Sequence, residues 1–458
     1  MNMLKNYSDK EISQAFSFFE ANNKKFQSIK NDLAQIYGPL KNGKKLMSLF
    51  HYWLYSFEII HQVYGDEGIR CFCKDKNSSF MGFSYQFEFK MYRDFDPKRS
   101  ERWLKSNFFS YLGLLIINFF KFNIFLPGAN LSSFKFKLIN RVSKIIFKNI
   151  NSQIDILCEE KINSILDIYF KDFSKSDKNL IKQKLPHVFK SKKVKYPFIK
   201  NELILKGSAA AFLNFRGYEN IFLLDNKLVI EGYQHGGGYD LFEVDYFSYF
   251  EKKMCDEFYG WGFSKKNVKQ FKFKKRKIKK VTEGSKKILW IEDTSLPIYY
   301  GLVMPNHYKN IHSNLNKQFV YDELKKNEIQ YTNLMHPVKP SKAYDKFRKN
   351  DFYLSQANDG AENIVSANDI CIFDSIGSTF IHFCIENEII FRVVLSLDDY
   401  KFMSIKAKQW IDVLRKNQFA FIIEEDENCL GFSLENINEK KTIPNQIKKY
   451  NTKNFFVL

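Results

Sequence analysis

The pattern of apolar and polar residues changes near residue 200 of the 458-residue chain. Before that point apolar and aromatic residues predominate, and residues 47–64 are apolar on nearly every side of a helical wheel, which predicts a core helix. After it, short β-type runs are separated by turn signals. Farther along, such runs alternate with helix-like stretches, which predicts a parallel sheet built from β-α-β units. The fold class is therefore predicted to be α/β, with a helical N-terminal elaboration.

The predicted strands fall into two groups, which a lysine-rich run over 265–280 separates. The first group comprises 201–205, 220–224 and 226–231; the second comprises 286–292, 331–336, 367–374, 389–394 and 419–423, with helices near 317–327, 380–386 and 406–415. Two groups of strands predict two domains. The predicted boundaries are 1–270 for the N-terminal domain (helical over 1–200, α/β over 200–264), 265–283 for a basic linker, 284–435 for a C-terminal Rossmann-like domain, and 436–458 for a C-terminal helix or tail.

The first candidate site is a histidine that meets a glycine run directly after a predicted strand. His235 follows the strand 226–231 and precedes Gly236, Gly237 and Gly238. Glycines permit positive φ and let a ligand approach the main chain closely. A histidine at the carboxyl end of a strand lies where open α/β sheets bind ligands, and the imidazole titrates near neutrality. The alternative interpretation is a glycine-rich turn beside a hydrogen-bonded structural histidine.

The second candidate site combines a strand-end histidine with a serine-rich turn. His336 ends the strand 331–336, where Pro337 stops the hydrogen-bond ladder. The strand 367–374 then runs into a turn and a helix, which places hydroxyls and free backbone N–H groups at a helix N-terminus and favours a phosphate. The residues of this turn are Ser375, Gly377, Ser378 and Thr379. Taken alone they are more often ordinary helix caps, but with the strand-end histidine they favour a phosphate site.

The formal net charge is +20, which predicts attraction to phosphates, anionic membranes or acidic polymers. Much of it lies in the run 265–280, which is interpreted either as a solvated linker or as a membrane-surface patch in which Phe271, Phe273 and Ile278 insert between lipids while the lysines pair with lipid phosphates. Nucleic acid is not an expected partner, because no binding motif for it is recognisable.

Seven scattered cysteines, without paired metal-ligand spacing, indicate reduced thiols in a cytoplasm, and no metal site is predicted. The N-terminus has no apolar signal-peptide core. The apolar stretch 108–120 is shorter than the roughly 20 residues that span a bilayer, so it is interpreted as a buried or interfacial helix. The expected location is cytoplasmic, with peripheral attachment to the inner face of the cytoplasmic membrane.

Several further residues have both a chemical and a structural interpretation. Glu231, Asp240 and Glu251 flank the His-Gly segment, and each is either an alternative general base or a surface carboxylate. Lys339 follows the His-Pro element and either reaches a phosphate or is solvated. The histidines at positions 51 and 61 lie on the predicted core helix, where a satisfied core or groove histidine is the default expectation.

A His-Gly element, a later His-Pro element and a serine-rich strand-to-helix turn together resemble bacterial surface-polysaccharide transferases of GT-B architecture. That group includes CDP-glycerol glycerophosphotransferases, bacterial polysialyltransferases and capsule Kdo transferases. The stretches 234–239 and 251–263, with the aromatic helix around His51, look closer to a less characterised set of cell-surface glycan transferases. The resemblance covers residues 45–65 and 200–400. It implies two Rossmann-like domains that face a cleft, with the acceptor on the N-terminal side and the nucleotide donor on the C-terminal side.

Carried over by residue, the resemblance implies a role for each candidate. His235 is the implied general base toward an acceptor hydroxyl, and His336 contacts the donor phosphate or helps the nucleotide to leave. The serine-rich turn and Glu386 are the implied donor-binding residues. His382 stands where relatives have an acidic residue, and Ile389 stands where they have a proline. The His-Pro element favours a CMP- or CDP-linked donor, and no other cofactor is implied.

The expected function is transfer of a sugar from a nucleotide-activated donor to a cell-surface polysaccharide or a lipid-linked acceptor. A positioned base and charge stabilisation at the leaving phosphate are the chemical requirements of that reaction. Two alternatives stay open. One is transfer of a polyol phosphate from a CDP-linked donor, and the other is a non-catalytic protein that binds through its basic surface.

Overall fold

The structure of the chain is a computed structural model, and it describes only part of the 458 residues. The described residues are 9–74, 124–125, 154–191, 202–213, 218–234, 239–242, 245–260, 269–270, 287–291, 308–335, 352–353, 365, 369–378, 380–423 and 443–448. Within them the chain forms helices and two parallel β-sheets. The prediction of an α/β fold with a helical N-terminal part is confirmed.

The N-terminal helices pack into one apolar core. They are α1 (Asp9–Tyr37), α2 (Gly43–Lys74), α3 (Ile156–Tyr169) and α4 (Lys175–Gln183), followed by a 3-10 helix at His187–Lys190. Every residue from position 49 to 60 of α2 is buried, including Trp53 and Phe57. A helix that is apolar around its whole circumference must be enclosed on all sides, so the predicted core helix over 47–64 is confirmed.

The first sheet contains five described strands, all parallel, in sequential order. The strands are β1 (Ile124–Phe125), β2 (Leu203–Gly207), β3 (Leu228–Tyr233), β4 (Glu257–Gly260) and β5 (Lys269–Gln270), with the helices α5 (Ala210–Leu213) and α6 (Tyr246–Met254) and a 3-10 helix (Tyr218–Leu223) between them. The strand predicted at 220–224 is therefore wrong, since most of that apolar run is a 3-10 turn. Its leucine and phenylalanine side chains are buried all the same.

The second sheet contains six described strands, again all parallel. The strands are β6 (Ile288–Ile291), β7 (Thr332–Met335), β8 (Phe352–Tyr353), β9 (Ile370–Phe373), β10 (Ile390–Leu395) and β11 (Ala420–Ile422), with the helices α7 (Tyr308–Lys326), α8 (Phe380–Glu386), α9 (Leu397–Phe402) and α10 (Ile405–Lys416). The predicted elements of this half are confirmed, although α7 begins nine residues before the predicted start at 317.

The strand order of the second sheet is β8-β7-β6-β9-β10-β11. Numbered within the sheet, this is the order 3-2-1-4-5-6 of the doubly wound dinucleotide fold. The chain runs outward in one direction from β6 and then returns to start again at β9. Ligands of such sheets bind beyond the carboxyl ends of the strands at this reversal, which here lies between β6 and β9.

Side chains of the central strands alternate between two apolar layers. Leu289 and Phe373 face the larger core, which is continuous with the N-terminal helices and the first sheet. Trp290 and Ile372 face a smaller core that Val320 and other residues of α7 close. A sheet buried on both faces explains why its strands are continuous apolar runs in the sequence.

The two halves of the chain touch through segments that follow strands of the two sheets. Phe242, beyond β3, forms an isolated antiparallel bridge with Met403, beyond β10 and α9. The Ser404 backbone N–H donates to the Leu241 carbonyl at 2.9 Å, and the Ser404 hydroxyl donates to the Asp240 carbonyl at 3.0 Å. We call these five residues the interlobe contact.

The basic run and the apolar stretch fall mostly outside the described residues. Within the run 265–280, the two described residues, Lys269 and Gln270, are the strand β5 and pair with β4. The stretch 108–120 lies outside the described part of the chain. Among the helices that are described, none has the length and apolar character needed to cross a bilayer.

Candidate functional site

Some of the predicted site residues lie within the part of the chain that the structure describes, and others lie outside it. His235, His336, Lys339, Thr379 and the glycines at 236–238 lie outside the described residues. Their roles stay predictions. The other predicted residues lie within the described part of the chain, as do the segments on either side of His235 and before His336.

The turn of residues 375–378, called the serine turn below, leaves β9 at the reversal of strand order. The Ser375 hydroxyl accepts from the Gly377 N–H at 3.2 Å, and the Ser378 hydroxyl accepts from the Phe380 N–H at 3.3 Å. Both serines thus brace their own turn, as the helix-cap interpretation predicts. A hydroxyl that accepts in this way keeps its own O–H to donate. The turn can therefore brace itself and offer donors to an anion at the same time.

A buried ion pair fixes the strand end from which the serine turn departs. The Lys317 ammonium group donates to Asp374 Oδ2, and neither side chain has any exposed surface. The Trp290 indole N–H donates to the same carboxylate oxygen at 3.3 Å. Asp374 directly precedes Ser375, so β6, α7 and the end of β9 are held together beneath the turn.

An amide side chain holds the same strand end through its main chain. Asn316 Nδ2 donates to the Asp374 carbonyl oxygen at 3.2 Å and to Asp399 Oδ2, on α9, at 3.0 Å. Asn316 is buried, with 1% of its surface exposed. The polar residues of α7 that face the sheet thus converge on Asp374, the residue directly before the serine turn.

Glu386 is not brought to the serine turn. It ends α8, six residues beyond Phe380, which is about 9 Å along a helix axis. His382, in the same helix, is buried and stacks on Trp410 with ring centroids 5.8 Å apart.

The segment that carries His235 is anchored at both of its described ends. Before it, the Gln234 N–H donates to the Tyr259 carbonyl at 2.9 Å, and Tyr233 stacks on the Tyr259 ring at 4.9 Å. After it, the Tyr239 hydroxyl donates to Glu251 Oε2. The anchors join the end of β3 to β4 on one side and Tyr239 to α6 on the other.

The three carboxylates near His235 are engaged with protein partners. Glu251 is fully buried and also accepts from the Ser208 hydroxyl at 2.8 Å. Asp240 is buried and pairs with Lys252, so the surface interpretation is wrong for Asp240 and Glu251. Glu231 pairs with Lys206 at 2.8 Å across the β2–β3 ladder and keeps a partly exposed side chain. All three therefore have structural roles in the folded chain.

Asp245 is the N-cap of α6, ten residues after His235 in the sequence. Its carboxylate accepts from the Ser248 N–H at 3.0 Å and from the Asp240 N–H at 2.9 Å. Burial raises the pKa of Asp245 to about 6, against the opposing effect of the Ser248 hydrogen bond. This carboxylate shapes the left-handed turn at Asp240, where φ is 54°.

The two histidines of the core helix differ. His51 is buried between Phe26, stacked on it at 3.7 Å, and Phe250, edge-on at 4.9 Å. Burial, followed by the charge of Lys253, lowers the pKa of His51 to about 3. Neither ring nitrogen finds a hydrogen-bond partner in the described part of the chain, so His51 is a core histidine but not a satisfied one. His61 is half-exposed and lies 3.0 Å from Asp66.

Some residues around the site were not predicted as parts of it. Asn316 and Lys317 are polar residues inside a helix, a position that is usually solvent-exposed, and nothing in their spacing shows that they turn inward. Among the described residues, no three His, Cys, Asp or Glu side chains are grouped closely enough to hold a metal ion.

No curated protein and no solved structure matches the chain. A family model described as LIC12162 family transferase matches residues 24–380, a span from α1 to the first residue of α8 that takes in both sheets up to β9. Since the match covers more than half of the chain, the protein belongs to the LIC12162 family of transferases.

Proposed function

We propose that the chain is a glycosyltransferase of GT-B type, which moves a sugar from a nucleotide-activated donor to a cell-surface polysaccharide or a lipid-linked acceptor. One observation carries the proposal: the serine turn leaves β9 at the reversal of strand order in a doubly wound sheet, where such sheets bind nucleotides. Membership of a transferase family supports group transfer as the reaction class. The sugar as the transferred group is the proposal's own step.

On the donor side, Ser375 and Ser378 bind the phosphate that links the sugar to the nucleotide and that leaves with the nucleotide. Their hydroxyls, the N–H groups of the turn, Thr379 and His336 offset negative charge as the nucleotide departs. Charge stabilisation by donors fixed in advance is the largest single contribution in many enzymes. The Lys317–Asp374 pair and Asn316 keep these donors in place before the substrate arrives.

On the acceptor side, His235 removes the proton of the attacking hydroxyl. The anchors at Gln234 and Tyr239 support this role, because a general base must stand within hydrogen-bond reach of the proton it takes. A positioned base contributes about 10²–10⁴ in rate. The burial and pairing of Asp240 and Glu251 favour His235 over either carboxylate as the base.

The interlobe contact supports a cleft between the two sheets. It joins the chain beyond β3, which carries His235, to the chain beyond β10, the strand that pairs with β9. Both connections start from carboxyl ends of parallel strands. A cleft between two such edges is a preferred ligand site.

The proposal is tested by nucleotide binding. CMP, CDP, UDP and GDP are each added to the full chain and the thermal transition is recorded. A nucleotide at about 100 times its Kd stabilises the native state by about 2.7 kcal/mol. We expect a cytidine nucleotide to raise the transition and the matching nucleoside to raise it less. If none of the four shifts the transition, the donor-site proposal is wrong.

Product analysis separates the sugar donor from the polyol-phosphate donor. After reaction with an activated donor, the acceptor is examined by mass spectrometry. A mass increase equal to a sugar residue supports the proposal, and an increase equal to a polyol phosphate identifies the second candidate. The His-Pro element is the feature that keeps that second candidate open.

We also propose attachment to an anionic bilayer, because the acceptors of such enzymes are lipid-linked or membrane-bound. The net charge of +20 supports it. Co-sedimentation with vesicles that contain anionic lipid, and not with neutral vesicles, is the expected result. Strong salt-dependent binding of RNA or DNA without nucleotide binding would instead favour the non-catalytic alternative.

A further inference from the structure

We propose that Asn316 is a positioning residue for the donor phosphate, and that it acts by joining the serine turn to helix α9 and through α9 to the interlobe contact. The inference rests on the proposed function, since it presumes that the serine turn binds a phosphate. It adds a residue that the sequence motifs do not contain.

Asn316 Nδ2 donates to two acceptors at once, the Asp374 carbonyl at 3.2 Å and Asp399 Oδ2 at 3.0 Å. A primary amide nitrogen carries two hydrogens, so one side chain can supply both bonds. A serine hydroxyl has one hydrogen and an ionised aspartate has none, so neither could replace it.

Asn316 donates to the main chain of Asp374 and not to its side chain. The Asp374 carbonyl belongs to the peptide group that leads into Ser375, the first residue of the serine turn. The Asp374 carboxylate is held independently by Lys317 and Trp290. Main chain and side chain are thus fixed by separate donors, and the bond from Asn316 holds the carbonyl of the peptide group before the turn.

Asp399 connects Asn316 to α9. Asp399 lies in the first turn of α9, where its N–H donates to the Ser396 hydroxyl at 3.1 Å, so its side chain is held at a capped helix end. α9 ends at Phe402, and Met403 and Ser404 follow at the interlobe contact. A continuous set of bonds therefore runs from the serine turn through Asn316 and α9 to the other half of the chain.

Asn316 is buried, with 1% of its surface exposed. Water therefore has little access to the Asp374 carbonyl and the Asp399 carboxylate if the Asn316 amide is removed. A buried acceptor left without a donor is unfavourable, and the strand end would shift to find another. A displaced serine turn should bind the phosphate less tightly. Contacts with the nucleoside should be unaffected.

The experiment compares binding of CMP with binding of cytidine, by calorimetry on the full chain. If another nucleotide proves to be the one that stabilises the wild type, that nucleotide and its nucleoside are used. The ratio of the two affinities measures the contribution of the phosphate alone. In Asn316→Ala we expect this ratio to fall about tenfold, the change that loss of one positioned hydrogen bond produces. Affinity for the nucleoside should stay within about twofold, a smaller change than one such bond produces.

Two further variants divide the action of Asn316 between its two bonds. Asp399→Ala removes the bond to α9 and keeps the one to Asp374, and we expect it to lower the ratio about threefold, part of the effect of one lost bond. Asp399→Asn keeps an acceptor oxygen for Asn316, and we expect the wild-type ratio. Because Asp399 is only half-buried, these variants test the inference even where Asn316→Ala does not fold.

The matched control is Gln318→Ala on the same helix. Gln318 also donates from its amide to a carboxylate, Asp322 at 2.7 Å, but on the exposed face of α7. It should leave the ratio unchanged. A loss of general stability would lower both affinities together, so a change in the ratio reports positioning and not folding.

The outcomes separate the inference from the proposed function. If the wild-type chain binds no nucleotide, both are overturned. If it prefers CMP to cytidine and Asn316→Ala keeps that preference, the role of Asn316 alone is overturned. If Asn316→Ala lowers the ratio but Asp399→Ala matches the wild type, the link through α9 is overturned.

Discussion

Lys317 and Asp374 form an ion pair from which solvent is excluded on both sides, since neither side chain has any exposed surface. Removing two charges from water is unfavourable, and their attraction offsets this only when the geometry is good and further hydrogen bonds are made. Trp290 supplies such a bond to the shared carboxylate oxygen. The pair lies at the reversal of strand order, where a charged group fixed inside the fold holds the start of the serine turn.

Loss of one partner should destabilise the fold strongly. Lys317→Met leaves the Asp374 carboxylate buried without its cation, and we expect the free energy of unfolding to fall by about 3–5 kcal/mol. Urea denaturation followed by tryptophan fluorescence measures this. Lys326→Met, on the same helix, is the control, because Lys326 pairs with Glu323 at 3.7 Å and is 75% exposed. It should change stability by less than about 1 kcal/mol.

Replacing both partners tests the same account from the other side. In the double variant Lys317→Met, Asp374→Leu no charge remains to be left unpaired, and apolar replacements of buried pairs are often close to neutral. We expect it to regain much of the stability lost in Lys317→Met. Equal loss in the single and double variants would contradict the ion-pair explanation.

Substitution of His235 should separate catalysis from folding. We expect His235→Ala to lose transfer by at least about 10²-fold, the typical contribution of a positioned base, while the thermal transition stays close to that of the wild type. The transition is measured by calorimetry and the transfer rate by product mass. If the variant unfolds instead, the histidine is structural, as the alternative interpretation of the glycine-rich turn holds.

The anchor after His235 should depend on one hydroxyl. Tyr239→Phe leaves the fully buried Glu251 carboxylate short of a donor, and we expect the free energy of unfolding to fall by about 1–3 kcal/mol. Tyr259→Phe removes a comparable hydroxyl bond to Glu257, at 2.8 Å and partly exposed, and should lower stability by less than about 1 kcal/mol. Equal losses would mean that burial of Glu251 does not strengthen the anchor.

The interlobe contact is tested with a pair of helix caps. Ser404 caps α10 and also donates to the Asp240 carbonyl, whereas Ser174 caps α4 and bonds within its own turn. Loss of a cap lowers stability by about 0.5–2 kcal/mol in either place. We expect Ser404→Ala to exceed Ser174→Ala by about 1 kcal/mol, because the bond that the Ser404 hydroxyl donates is buried, whereas the bond from the Ser174 hydroxyl to the Asp177 carboxylate is only partly buried. Urea denaturation of the two variants gives the difference, and equal losses would show that burial of the Asp240 bond at the interlobe contact adds no stability.

The second sheet could be predicted from the sequence because its strands are buried on both faces. Residues 288–291 and 370–373 are uninterrupted apolar runs, and helix-like stretches separate the strands at the spacing of β-α-β units. The helix Phe380–Glu386 was predicted with its observed bounds, since the serines before it mark a helix start. Where the local pattern and the tertiary structure agree, sequence alone is sufficient.

Other parts could not be predicted for physical reasons. The apolar run at 220–224 satisfies a strand and a buried 3-10 turn equally well, and packing decides between them. The strands β1 and β5 are two residues long, too short for any periodicity. Asn316 and Lys317 follow one another in a polar part of α7. Both face the interior because each donates to Asp374, which is distant in the sequence. Pairing across about 58 residues of sequence leaves no local signal.

The buried imidazole of His51 predicts an acid limit to stability. The pKa of His51 falls to about 3 in the folded chain, because burial disfavours the charged ring, while in the unfolded chain it is about 6.5. Between these values the unfolded state binds the extra proton, so stability is complete above about pH 6.5 and declines as the pH falls toward 3. At about 1.4 kcal/mol per pKa unit, the full decline is on the order of 5 kcal/mol.

His51→Phe keeps an aromatic ring against Phe26 and should remove this part of the decline in stability at acid pH, the acid branch. Urea denaturation between about pH 4 and 7, the window that the linkage sets, measures it. His61→Asn, on the same helix, should leave that branch in place, and an acid branch of equal slope in His51→Phe would show that other groups cause it.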